Sequence, residues 1–104
     1  MSELVVTDVH SGSTVRVAPG DAVLVRLPES PTTGYRWQFD VAGALAVSGD
    51  TFASGSAAPG AGGERTLRLV ASAPGSHSLT AVLRRPWETG VAPQATFTVT
   101  VEVR

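Results

Sequence analysis

Apolar and polar residues alternate with a period of two along most of this chain. Near the C-terminus Ala95, Phe97, Val99, Val101 and Val103 point one way, and Thr96, Thr98, Thr100, Glu102 and Arg104 the other. That is the pattern of an antiparallel strand with one face on a core and one in water. His77, Leu79, Ala81 and Leu83 alternate in the same manner with Ser76, Ser78, Thr80 and Arg84. Val23, Val25 and Leu27 mark a third strand, and Leu67, Leu69 and Ala71 a fourth. Weaker strand patterns lie near 3–7, 13–18, 35–40 and 45–52. No segment carries a capped stripe of helical period, so the chain reads as all-β.

The punctuation between these segments agrees. Ala18-Pro19-Gly20 and Ala73-Pro74-Gly75 are compact turns, with proline presetting φ and glycine accepting a positive one. About eight short strands with regular turns predict an antiparallel β-sandwich of the immunoglobulin-like kind, without the cysteine pair and tryptophan of antibody domains. If the strands run up and down, alternate connections emerge at the same end. The joins at 28–34, 53–63 and 85–94 then share one end, and the short joins at 18–20, 41–44 and 72–75 the other. Three long, unusual loops at one end of a rigid sandwich predict a binding edge.

Composition narrows the chemistry. A chain of 104 residues is enough for one domain, 1–104, with a substantial core. Hydrophobic residues make up 42% and charged residues 16%, which argues against disorder. The net charge is −1, and the 8 basic residues are all arginine, scattered without a stripe, so no nucleic-acid partner is predicted. Lysine-free composition rich in alanine, glycine and valine suggests a GC-rich bacterial gene. No apolar run approaches the roughly 20 residues that span a bilayer, so no membrane association is predicted. The N-terminus lacks a basic and an apolar signal region, which reads as cytoplasmic, or as secreted or periplasmic if a leader has been removed.

Catalytic constellations fail. There is no cysteine, no Gly-x-Ser-x-Gly elbow, and only two histidines, His10 and His77, with no metal-ligand spacing. His77 on an apolar strand face reads as structural. No catalytic residue, metal or cofactor is expected, and the function must lie in shape.

Each long loop allows a bland and a sharp reading. In Ser30-Pro31-Thr32-Thr33-Gly34-Tyr35, proline fixes φ, the threonines are stiff, and Gly34 accepts a φ closed to other residues. Alone this is an ordinary turn or a preorganised wedge. The segment 54–63, ending Gly60-Ala61-Gly62-Gly63, is a flexible connection or a backbone strip that approaches a partner closely; its spacing is not that of a phosphate cradle. Arg85-Pro86-Trp87 places tryptophan on a stiffened loop root, as core packing or as an exposed anchor. Trp37 and Phe39, inside a strand pattern, read as core.

Taken in order, the three loops resemble those of the chagasin family, inhibitors of papain-like cysteine peptidases, over nearly the whole chain. The family pattern Asn-Pro-Thr-Thr-Gly-Tyr is matched by Ser30 to Tyr35, with serine for asparagine. Its Gly-x-Gly loop is matched by Gly60-Ala61-Gly62, with Leu67 in place of a following aromatic residue, and its Arg-Pro-Trp by Arg85-Pro86-Trp87. The resemblance implies a monomer that inhibits reversibly and tightly, without chemistry. Thr32 and Thr33 would lie nearest the catalytic thiol and Gly34 would permit the approach. Trp87 would pack beside the catalytic histidine, with Arg85 giving polar contacts. Gly60 and Gly62 would line the opposite rim. The alternative from a different class is an immunoglobulin-like adhesion or assembly module that uses the same loop end on a non-peptidase partner.

Overall fold

The computed structural model describes residues 3–30, 33–41, 45–54 and 62–104. Eight strands form: β1 (Glu3–Thr7), β2 (Ser13–Val17), β3 (Ala22–Glu29), β4 (Arg36–Val41), β5 (Leu45–Ser54), β6 (Gly63–Ala71), β7 (Gly75–Arg84) and β8 (Ala95–Val103). They build two four-stranded sheets, ordered β1-β3-β6-β5 and β2-β8-β7-β4. A 3₁₀ turn, Asp8–His10, leads from β1 toward β2, and Thr33 also has 3₁₀ character.

Both sheets are mixed, where alternation had suggested purely antiparallel pairing. β1 pairs β3 in parallel and β2 pairs β8 in parallel, while every other pair is antiparallel. The reason is parity. Odd strands run one way and even strands the other, and β1–β3 and β2–β8 bring strands of equal parity together. Alternation fixes which face of a strand is buried; it does not name the neighbour.

The core follows the predicted faces. Val23, Val25 and Leu27 of β3 meet Leu67 and Leu69 of β6 across one sheet, and Leu79 and Ala81 of β7 meet Phe97 and Val99 of β8 across the other. All are essentially inaccessible to solvent. Trp37 is buried with them and Phe39 packs partly against them. Leu67, at the position where the family pattern has an aromatic residue, is core and lies away from the loop surface.

Parity sets the ends. The connections β3–β4, β5–β6 and β7–β8 emerge together, and the turns after β2, β4 and β6 emerge opposite. The β1–β2 join starts toward the loop end but is pinned lower on the flank, where Gly12 donates to the Thr98 carbonyl (2.7 Å) and Thr98 donates to Ser11 Oγ (3.2 Å). Pro28 fits inside β3 because β1 ends opposite Arg26, so no ladder bond is lost at the proline. Edge strand β5 carries a register shift between Val47 and Gly49, a bulge that blunts the open edge.

Candidate loop site at one end of the sandwich

The first connection, 30–35, is built around Thr33. Its amide (3.2 Å) and its hydroxyl (2.7 Å) both donate to the Ser30 carbonyl, and the hydroxyl accepts from the Tyr35 amide (3.4 Å). The Thr33 hydroxyl is thus committed within the turn. Gly34 follows with φ of +80°, a conformation costly for any residue with a Cβ. Pro31 and Thr32, both expected at the tip, lie outside the described residues.

The third connection, 85–94, grips the first. Arg85 donates from Nε to the Thr33 carbonyl (3.0 Å), and its guanidinium lies 4.5 Å above the centre of the Tyr35 ring. That stack is a cation–π contact. It half-buries Tyr35 and makes Arg85 part of the scaffold before any partner arrives. The Glu88 amide closes a turn onto the Arg85 carbonyl (3.1 Å) around Pro86 and Trp87. The Gln94 amide donates to the Leu83 carbonyl (2.8 Å) and shuts the loop at its base. Trp87 is 69% exposed, so the core reading of this residue is set aside, and its ring rests on Gly34.

Of the second connection, Gly62 and Gly63 are described; Gly60 and Ala61 lie outside the described residues. Among the described residues, none comes within 4 Å of where a side chain on Gly62 would begin. Gly63 is the first residue of β6, and a Cβ there would run into the Phe52 ring and the Ala53 carbonyl. Its lack of a side chain is needed for packing. Ser30, Thr33 and Tyr35 from the first connection, Gly62 and Gly63 from the second, and Gln94 from the third share an open cavity of about 280 Å³. The structure therefore brings Ser30, Thr33, Gly34, Tyr35, Gly62, Gly63, Arg85, Pro86 and Trp87 to one end.

Two residues missing from the sequence reading support this end. Glu29, 4% exposed, accepts from the Trp37 amide (2.9 Å) and from Arg65 through Nε (3.3 Å) and Nη2 (2.6 Å). Arg65 also reaches Asp50 (3.1 Å). The hydrogen bond to Glu29 pushes the Arg65 pKa up, against burial, which lowers it. Trp37 adds a bond from Nε1 to the Pro28 carbonyl (2.8 Å), so its amide and its ring together tie β4 to β3 across the sandwich. The same period of two that marked the core held the signal. Glu29 continues the face of Val25 and Leu27, and Arg65 that of Leu67 and Leu69, which puts both charges inward.

The histidines have local roles. His77 Nε2 lies 2.9 Å from the Ala73 carbonyl, and His10 Nδ1 accepts from the Thr7 amide (3.0 Å). Among the described residues no three or more His, Cys, Asp or Glu side chains converge as metal ligands.

Comparison with known proteins completes the description. The family model described as "Chagasin family peptidase inhibitor I42" matches residues 16–101. Chagasin of Trypanosoma cruzi is 33% identical over 101 residues, which cover 90% of this chain and 92% of that protein. Amoebiasin-1 of Entamoeba histolytica is 31% identical over 104 residues, covering 94% of this chain and 97% of its own. The crystal structure of EhICP2, a cysteine protease inhibitor of Entamoeba histolytica, superposes with a TM-score of 0.92 over 99% of this chain and 96% of that one, at 24% identity.

Proposed function

Because the chain belongs to the chagasin family of peptidase inhibitors, and so is an inhibitor and not an enzyme, we propose that it closes the active-site cleft of papain-like cysteine peptidases with its three long loops. The observation that carries this reading is the lock between the first and third connections. Arg85 holds the Thr33 carbonyl while Trp87 lies exposed on Gly34, so wedge and anchor form one rigid surface at the end of the sandwich.

Rigidity is what an inhibitor of this kind needs. A loop already held by internal hydrogen bonds loses little conformational freedom on binding, so more of the contact energy appears as affinity. The turn at Thr33 and Gly34 offers backbone and small groups to the catalytic thiol, with Thr32 beside it. An exposed tryptophan supplies a large apolar surface at low entropic cost, as hot-spot residues do. In this reading Trp87 covers the wall beside the catalytic histidine. Ser30, Pro31 and Tyr35 shape the wedge, Arg85 and Pro86 present the anchor, and Gly60, Ala61, Gly62 and Gly63 run backbone along the opposite rim. Nothing is cleaved or modified, so inhibition is reversible, tight and competitive with substrate, by one domain, 1–104, acting as a monomer. Lysine-free composition supports a bacterial source, whereas the relatives named above come from protozoa. No observation favours the adhesion reading.

Titration of papain tests the proposal. Activity should fall linearly to near zero around one molar equivalent, while a serine peptidase such as trypsin is unaffected. Undiminished papain activity at a clear molar excess of folded protein would overturn it.

A further inference from the structure

Six of the eight arginines have a carboxylate partner: Arg16 and Arg104 on Glu102, Arg26 on Glu64, Arg65 on Glu29 and Asp50, Arg68 on Glu3, and Arg85 on Glu88. Arg36 and Arg84 have none among the described residues. These two stand directly opposite each other on β4 and β7, a placement in which Cβ atoms lie about 5 Å apart. Their strand neighbours Trp37 and Leu83 pack on the core, so both arginines project from the outer face of the sheet.

The arrangement is unfavourable in the free protein for two reasons. Like charges directly opposite each other destabilise a sheet. The Arg84 Nε, moreover, is buried without a hydrogen-bond partner, which leaves a desolvated donor unsatisfied. The row beneath holds Gln38 and Val82, and the nearest carboxylate along β4 is Asp40, opposite Thr80, roughly 13 Å from Arg36 at strand rise. Glu88 is directed at Arg85.

The position of the pair names its use. Arg36 directly follows Tyr35, and Arg84 directly precedes Arg85. Both therefore stand at the roots of the two connections that carry Gly34 and Trp87. In the inhibitor reading, the sheet surface nearest to a body gripped by those loops includes these two roots. Guanidinium groups present paired donors that match carboxylates, and an incoming carboxylate would relieve the repulsion between the two arginines. That relief is available only in the complex.

We propose that Arg36 and Arg84 form a cationic clamp for a carboxylate-bearing shoulder of the bound peptidase, so that this inhibitor prefers papain-like peptidases with an acidic surface beside the cleft. The proposal rests on the inhibitor reading above. Its test uses papain in two forms, native and succinylated, the second having surface amines converted to carboxylates. Association rates and inhibition constants are measured at low and high ionic strength for the wild type, Arg36→Gln, Arg84→Gln and the double variant, with melting temperatures alongside. The quantity read is the ratio of succinylated to native papain. The wild type should favour the succinylated form at low salt, and the double variant should lose that advantage, by on the order of threefold to tenfold in association rate. High salt should shrink the difference, and melting temperatures should hold or rise as repulsion is removed. A double variant that keeps the whole advantage, or that melts lower with the ratio unchanged, overturns the clamp and leaves the inhibitor reading standing. A wild type that inhibits neither form overturns both.

Discussion

The six-membered ring of Trp87 lies on the backbone of Gly34, across a space that a single methyl group at residue 34 would close. The contact joins the two connections a second time, beside the bond from Arg85 to the Thr33 carbonyl. Its consequences separate folding from binding. The ring is 69% exposed and contributes little to the core.

Replacing Trp87 with alanine should move the melting temperature by no more than a degree or two, far from the 3–5 kcal/mol lost when a core tryptophan is truncated. Affinity for papain should fall by at least about 2 kcal/mol, some thirtyfold. Melting curves and inhibition constants of the same preparation decide the matter. A large drop in melting temperature with inhibition unchanged would make Trp87 a structural residue.

Gly34→Ala attacks the same contact from the other side. A Cβ at φ of +80° costs about 1–2 kcal/mol, and it also pushes the indole off its seat. Inhibition should weaken nearly as much as in Trp87→Ala. The double variant should be only slightly worse than either single one, because both remove one shared contact. Strict additivity in the inhibition constants would mean that the two residues act independently.

Glu29→Gln should be the most damaging conservative change near the site. It leaves Arg65 with a buried neutral partner and weakens the bond to the Trp37 amide. Because Arg65 keeps Asp50 and is 19% exposed at its side chain, a loss of roughly 2–3 kcal/mol is expected, below that for a fully buried pair. Urea unfolding measures it. A midpoint equal to the wild type would show that the carboxylate charge is dispensable.

The predicted pH response concerns Glu102. The hydrogen bond from Arg104, with the charges of Arg104 and Arg16, holds its carboxyl below the ordinary value of 4.5, against desolvation, which raises it. A carboxylate depressed by folding contributes stability that is complete above its ordinary value and disappears as pH falls through the folded one. Glu102→Gln should therefore be slightly less stable than the wild type at neutral pH and indistinguishable from it well below 4.5. The difference is small because both arginine partners are largely exposed to solvent. Unfolding midpoints at the two conditions would contradict this if the gap widened on acidification.

The fold was largely written in alternation. Phe97, Val99 and Val101 announce β8 because every second side chain must leave water, and strict reversal at each turn then gathers the three long connections. Partner choice was not written there, since β1 beside β3 and β2 beside β8 depend on how two sheets close over one core. Glu29 and Arg65 were hidden by residue type: a charged residue next to a loop reads as solvated until its strand phase is followed to the end. The grip of Arg85 on Thr33 joins positions 52 residues apart, and neither residue's local pattern points to the other.

Strict reversal of direction has one more result. β1 begins beside the start of β3, and β8 finishes beside the start of β7, so Glu3 and Val103 both lie at the face remote from the loops. A domain built this way can be tethered by either end, to a bead, a surface or another polypeptide, and still hold its working end outward. Attachment and recognition are kept a full strand length apart.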